Sequence, residues 1–235
     1  MSFENGCCAV IVAAGASTRM DLNIGKQFFP LHGVPAVART ILAFEAAREI
    51  ASVVVVCRPE DRKQMEIVVL GCGASKIAAV VPGGETRQKS AAAGAAAVPE
   101  GTGFLAVHDG ARPLVRPEEI DACVADARRW GAAALAVPVK DTVKLADKDG
   151  FVVSTPDRSL LWAVQTPQVF RRELYENAMR RAEEEGLDYT DDCQLLERAG
   201  VKVHLCRGSY ENLKLTTRED IVSAEAVLRR REEFP

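Results

Sequence analysis

No stretch of this sequence carries the roughly 18 consecutive apolar residues that a membrane-spanning helix requires. Met1 to Gly6 also lacks the basic start and apolar stretch of a signal peptide, so neither membrane insertion nor export is expected, and the cytoplasm is the predicted location. There is no CxxC pair. The seven cysteines (Cys7, Cys8, Cys57, Cys72, Cys123, Cys193 and Cys206) are odd in number and scattered, which argues against a disulfide framework or a zinc site and for free thiols. His32 and His204 stand in no ligand spacing, and His108 is expected to pack beside a strand end rather than act as a base. There is no excess of positive charge either. A formal charge of −3 offers no bulk attraction to nucleic acid, so a polyanion would have to be met by local cations and should be small. Internal repeats and low-complexity segments are absent, apart from the alanine-rich patch Ala91 to Ala97.

What the sequence does contain is ordinary for a water-soluble globular protein: 48% hydrophobic and 27% charged residues over 235 positions. That length suggests one large domain spanning residues 1–235 rather than two. Short β-branched runs alternate with helical patterns, which is the signature of βαβ units. Strands are predicted at Ala9 to Ala13, Ser52 to Cys57, Ile77 to Val81, Phe104 to His108, Ala134 to Val139 and Val201 to Cys206. The first is continuously apolar, as a central strand buried on both faces would be. Helices are predicted at Pro35 to Ala47, Glu60 to Leu70, Thr86 to Val98, Pro117 to Trp130, Arg171 to Glu185, Asp191 to Ala199 and Arg218 to Arg231. Thr217 with Asp220 resembles a capping box at the start of the last, whose Val222, Ala226 and Leu228 lie amid charge that reads as a solvated face. The rhythm breaks at residues 139–158. There, Thr142 to Leu145 and Val152 to Thr155, joined by Asp147-Lys148-Asp149-Gly150, predict a projecting β-hairpin arm that should pack on the body or on a second subunit. The fold class expected is α/β: a Rossmann-like, mostly parallel twisted sheet with helices on both faces, plus that arm.

Chemistry concentrates at predicted strand ends, where open α/β sheets bind ligands. The first strand runs into Ala13-Ala14-Gly15-Ala16-Ser17-Thr18-Arg19-Met20, whose small side chains let backbone N–H groups approach phosphate oxygens. Arg19 and Lys26 add cations to that cradle, although a plain turn with surface charges would look similar. The loop satisfies neither GxGxxG nor GxxxxGK[ST], so neither a dinucleotide fold nor a P-loop ATPase follows. A second glycine-rich element, Pro82-Gly83-Gly84 through Ser90, opens a helix whose free amides suit a base edge or a hydroxyl. Asp109 and Arg112, in His108-Asp109-Gly110-Ala111-Arg112-Pro113, suit Mg²⁺ and a second anion, or simply each other. Thr142 with Lys144, Arg158, Gln165-Thr166-Pro167-Gln168, Tyr189-Thr190-Asp191-Asp192 and Asn212-Leu213-Lys214 supply further hydroxyls and cations. Thr190 could equally cap a helix.

As an ordered set these motifs closely resemble the 2-C-methyl-D-erythritol 4-phosphate cytidylyltransferase family over nearly the whole chain. The resemblance implies CTP as co-substrate and Mg²⁺ as cofactor. It implies that Ala13, Ala14, Gly15, Gly83, Glu85 and Ser90 hold cytosine and ribose, while Arg19 and Lys26 grip the triphosphate and Asp109 binds the metal. Arg112, Thr142, Thr166, Thr190 and Lys214 would surround the acceptor phosphate and the reacting α-phosphate. Arg158 would come from the partner of a homodimer joined by the arm. No nucleic acid or membrane partner is implied. Arg19, Lys26 and Lys214 are the expected catalytic residues, acting on a direct in-line displacement that needs charge neutralisation rather than a covalent intermediate. Two positions depart from the family pattern: Ser17, where a second glycine is frequent, and Gly110, where alanine or serine is common and glycine is expected only to loosen the turn. A ribitol 5-phosphate cytidylyltransferase and a non-catalytic nucleotide sensor on the same fold are the rival readings.

Overall fold

The computed structural model describes residues 6–15 and 25–233. Along the chain run β1 (Cys7–Ala13), β2 (Pro30–Leu31), β3 (Val34–Pro35), α1 (Ala36–Ala46), β4 (Ile50–Cys57), α2 (Arg62–Cys72), β5 (Ile77–Pro82), α3 (Arg87–Ala96), β6 (Phe104–Asp109) and α4 (Pro117–Trp130). There follow β7 (Ala132–Pro138), β8 (Leu145–Ala146), β9 (Val152–Ser154), β10 (Trp162–Arg171), α5 (Arg172–Glu184), α6 (Asp192–Arg198), β11 (His204–Arg207) and α7 (Arg218–Glu233). Seven strands form one sheet in the order β11-β7-β10-β6-β1-β4-β5.

β1 lies inside the sheet, and both of its faces are apolar. Cys7, Ala9 and Ile11 point into one buried cluster, with Val37, Ile41 and Phe44 of α1, Met65 of α2 and Ile120 of α4. Cys8 and Val10 point into the other, with Ala91 of α3, Tyr175 of α5 and Leu196 of α6. Each large side chain buried in this way contributes about 1.5–3 kcal/mol. β1 pairs in parallel with β4 on one side and β6 on the other, so successive βαβ units grow in opposite directions from it. That reversal opens a crevice beyond the carboxyl ends of β1 and β6.

β10 was not among the predicted strands. It is a ten-residue antiparallel strand between β6 and β7, and Pro167, which cannot donate to a ladder, sits in its middle. Its register against β7 breaks between Val164 and Gln168, so the stretch Gln165-Thr166-Pro167 reads as a loop in sequence although tertiary packing extends it. β11 begins at His204, three residues later than the predicted run from Val201.

Helix ends follow local chemistry. The Arg116 amide donates to Glu119 at 2.9 Å ahead of Pro117, and α4 stops at Gly131, whose φ of +88° suits glycine. At α7 the amides of Thr216 and Thr217 both donate to Asp220 at 2.7 Å, the carboxylate half of the expected capping box. The buried stripe of α7 is Ile221, Ala224 and Leu228, however, and Val222 is exposed; the i, i+3, i+7 spacing selects the former. Nor is its charge merely solvated, because Arg230 and Arg231 both pair with Glu211.

β8 and β9 pair as a separate antiparallel sheet. Asp147 shapes its turn by accepting the amides of Asp149 and Phe151 at 3.0 and 2.9 Å. The predicted hairpin strands are thus shorter, and their side chains are exposed. All seven cysteines are free thiols, and no helix among the described residues is long and apolar enough to cross a membrane.

Candidate active site

A cleft of about 450 Å³ lies where β1, β4 and β6 end. Ala13, Ala14, Gly15, Lys26, Arg58, Asp109 and Lys214 border it, with the turn Gly84 to Arg87 on one side. That turn is pinned from beneath. Ser90 accepts the Gly84 amide at 3.1 Å and sits 2.8 Å from the Thr86 carbonyl, while Thr86 caps α3 by accepting the Lys89 amide. Gly83 lies behind the cleft wall, where a β-carbon would stand 2.6 Å from that of Ala14 and 2.8 Å from the Ser90 hydroxyl. Glu85 lies at the exposed rim, paired with Lys89 at 2.8 Å.

Asp109 is the buried charge at the cleft floor. Its Oδ1 accepts from Arg87 Nε at 3.1 Å, and its Oδ2 is 2.7 Å from Lys214 Nζ and 3.8 Å from Arg112 Nε. Burial alone would push its pKa up, but Arg87, Lys214 and Arg112 outweigh burial and hold the carboxyl well below its usual range. Arg87 is itself divided between Asp109 and Asp192, the latter at 2.7 Å. Burial opposes its charge, and the two carboxylates reverse that effect, so its pKa rises.

Beneath Asp109 the amide of that residue donates to Thr166 Oγ1 at 3.1 Å. Thr166 meets His108 Nδ1 at 3.0 Å, and His108 Nε2 faces the Arg112 carbonyl at 3.2 Å. Burial pushes the His108 pKa down to about 3, so the ring is neutral. A carbonyl can only accept, so Nε2 carries the proton and Nδ1 accepts from the Thr166 hydroxyl. His108 therefore braces the strand end, as expected.

Residues 7–230 match the family model for 2-C-methyl-D-erythritol 4-phosphate cytidylyltransferase. The chain belongs to this family. It is 50% identical over 224 residues to the 2-C-methyl-D-erythritol 4-phosphate cytidylyltransferase of Desulforamulus reducens, with 95% of this chain and 96% of that one covered. The protein of the same name from Pelotomaculum thermopropionicum is 47% identical over 225 residues, covering 95% and 94% of the two chains. In three dimensions the chain resembles the 4-diphosphocytidyl-2C-methyl-D-erythritol synthase of Anaerococcus prevotii, with a TM-score of 0.86, 30% identity and 97% and 98% coverage.

Of the residues that the family resemblance singled out, Ala13, Ala14, Gly15, Lys26, Glu85, Ser90, Asp109 and Lys214 border one cleft. Arg19 and Ser17 lie outside the described residues. Arg112 sits behind Asp109, donating to the Asn212 carbonyl at 2.7 Å. Thr166 is 4% exposed, and its hydroxyl is committed under Asp109. Thr190 is exposed with its hydroxyl 3.4 Å from Gln194; its neighbour Asp191, not Thr190, caps α6 by accepting the Gln194 amide. Thr142 and Arg158 are exposed residues of the hairpin region away from this cleft, Arg158 donating to the Lys140 carbonyl at 2.8 Å. Gly110 does more than loosen a turn. A β-carbon there would stand 2.9 Å from that of Ala13, so its absence lets the loop after β6 close against the end of β1.

The Mg²⁺ role expected of Asp109 does not fit its surroundings. Both carboxylate oxygens already face cations, and a divalent ion would have to displace Lys214 or Arg87 from them. Among the described residues no group of three or more His, Cys, Asp or Glu is placed to hold a metal.

Arg58 and Arg87 were missed. Arg58 directly follows the last residue of β4 and borders the cleft, so its position just after a parallel strand was the available signal. Arg87 opens α3 after two glycines, but its two carboxylate partners lie 22 and 105 residues away, which no local pattern reveals.

Proposed function

We propose that the chain transfers a cytidylyl group from CTP to 2-C-methyl-D-erythritol 4-phosphate, releasing pyrophosphate, with the cleft at the ends of β1 and β6 as the reaction site. The observation that carries this reading is the convergence of Lys26 and Lys214 on one cleft beside a glycine-rich turn. Ala13, Ala14, Gly15 and the turn from Gly83 to Ser90 offer small side chains and helix-start amides to the base and ribose. Lys26, with Arg19, neutralises the triphosphate. A phosphate oxygen of the acceptor attacks the α-phosphorus in line, the bond to the β-phosphate oxygen breaks, and its electron pair leaves on pyrophosphate. Negative charge spreads over the α-phosphate oxygens during this step, and Lys214, held by Asp109 at the cleft floor, is the cation that meets it. The residues present do not support routing any step through a protein-held metal.

Residues 139–158 serve in this reading as an arm joining a homodimer, through which Arg158 reaches the partner's acceptor site. Leu145, Phe151, Val152 and Val153 expose apolar surface there, which supports a covered state. The free thiols support a cytoplasmic location. Pyrophosphate release from CTP with Mg²⁺, measured with methylerythritol phosphate, with ribitol phosphate and with no acceptor, tests the reaction. Methylerythritol phosphate should be preferred. Preference for ribitol phosphate would reassign the acceptor, and no turnover with either would leave a nucleotide sensor.

A further inference from the structure

We infer that Asp192 and Tyr175, neither of which borders the cleft, are positioning residues that hold Lys214 in place through Arg87 and Asp109. The inference rests on the reaction site proposed above. The links are continuous. Tyr175 donates its hydroxyl to Asp192 Oδ1 at 2.9 Å, and Asp192 Oδ2 accepts from Arg87 Nη1 at 2.7 Å. Arg87 Nε donates to Asp109 Oδ1 at 3.1 Å, and Asp109 Oδ2 meets Lys214 Nζ at 2.7 Å. Each of the four carboxylate oxygens thus has its own donor. Turning either carboxylate would break bonds at both of its ends.

Both carboxylate residues of this chain are anchored on β10. Gln168 Oε1 accepts the amides of Asp192 and Cys193 at 3.0 and 3.1 Å, fixing the start of α6. Two residues earlier, Thr166 accepts the amide of Asp109. Tyr175 is fully buried and Asp192 is 2% exposed, so water cannot readily replace a lost partner. Arg87 is a long side chain with charge at its tip only. Without Asp192 it is free to swing from Asp109, and the carboxylate that aims Lys214 is then held from one side.

A buried ion pair with only a structural role would cost stability and leave Lys214 where it is. The two cases separate with Asp192→Asn and Tyr175→Phe in the full-length protein. Tyr175→Phe keeps the ring that stacks on Phe170 at 5.6 Å and removes only the hydroxyl. Turnover is measured with saturating acceptor and varied CTP. In parallel, brief treatment with an amine-acylating reagent, read by peptide mass spectrometry, compares Lys214 with the exposed Lys63, since an ammonium held in an ion pair must leave it before it is acylated.

We expect kcat to fall about 10-fold or more in Asp192→Asn and about 3-fold in Tyr175→Phe, with KM for CTP changed less than about 3-fold. Lys214 acylation relative to Lys63 should rise in both. The Asp192→Asn, Tyr175→Phe double variant should be no slower than Asp192→Asn, because both act on one chain. Unchanged Lys214 acylation in the folded variants overturns the inference, whatever happens to kcat. Raised acylation with unchanged kcat upholds the positioning and instead removes Lys214 from the proposed reaction. Should Asp192→Asn fail to fold, Tyr175→Phe decides on the same readouts.

Discussion

The hydroxyl of Thr166 lies 3.0 Å from His108 Nδ1 and ties that buried ring to the backbone of Asp109. This pairing requires a neutral imidazole, and burial holds the His108 pKa at about 3, against an ordinary 6.5. Across that window the unfolded chain binds a proton at residue 108 that the native state does not, so stability falls as pH falls, by ~1.4 kcal/mol per unit. Asp109, held well below the usual carboxylate range, adds its own loss of stability once pH falls below about 3.8, its ordinary value, and that loss is common to parent and variant. Urea unfolding across the window should therefore show a shallower pH slope for His108→Asn than for the parent. Equal slopes would mean that His108 is protonated in the native protein.

Lys26→Ala and Lys214→Ala should each lower kcat by about 10²-fold or more, the loss expected for one transition-state charge partner. Single-turnover rates at saturating CTP measure this directly. Near-parental rates in either variant would end that lysine's assignment.

Asp61 joins two residues at the cleft. It accepts from Gln27 at 2.9 Å and from Arg58 at 2.8 and 3.1 Å. Gln27 is 2% exposed and directly follows Lys26. Asp61→Ala leaves the buried Gln27 amide without its acceptor, at a cost of about 1–3 kcal/mol, and should weaken CTP binding more than it slows turnover. Calorimetric titration with CTP, set beside kcat, shows which of the two moves.

Gly83→Ala drives a β-carbon into Ala14 and Ser90, both of which border the cleft. Overpacking of this kind costs about 1–3 kcal/mol. Thermal unfolding should register the loss, and adding Ala14→Gly should recover part of it. If Gly83→Ala matches the parent in both stability and CTP affinity, the close contact has no consequence.

The arm can be tested by complementation. If Arg158 acts in the partner's site, Arg158→Ala and Lys214→Ala proteins, each nearly inactive, should regain about a quarter of parental activity when refolded together in equal amounts, because half of the dimers then carry one intact site. Phe151→Asp should shift sedimentation toward the monomer. No recovery on mixing would place Arg158 in its own subunit's site rather than the partner's, and a parent that sediments as a monomer would remove the arm's role altogether.

The parts of the fold that were legible were those whose evidence is local. β1, β4 and β6 are continuous apolar runs, and such runs have nowhere to lie except between two layers of helices. The small-residue loop after β1, the turn from Gly83 to Ser90, Asp109 and Lys214 were legible as an ordered set of motifs, and eight of the expected residues do border one cleft. β10 was hidden, because a proline and three polar residues in its middle obey strand geometry only once β6 and β7 hold them from either side.

The sequence by itself determined the layer architecture, the family and eight of the residues that border the cleft. Only the tertiary structure decided what each charge faces. Asp109 meets Arg87, Lys214 and Arg112 rather than an open coordination site, and Thr166 and Arg112 lie beneath the cleft floor instead of lining it. The reason is range: apolar periodicity is written into neighbouring residues, whereas an ion pair such as Arg87 with Asp192 joins positions 105 apart, and only the folded sheet brings them within 2.7 Å.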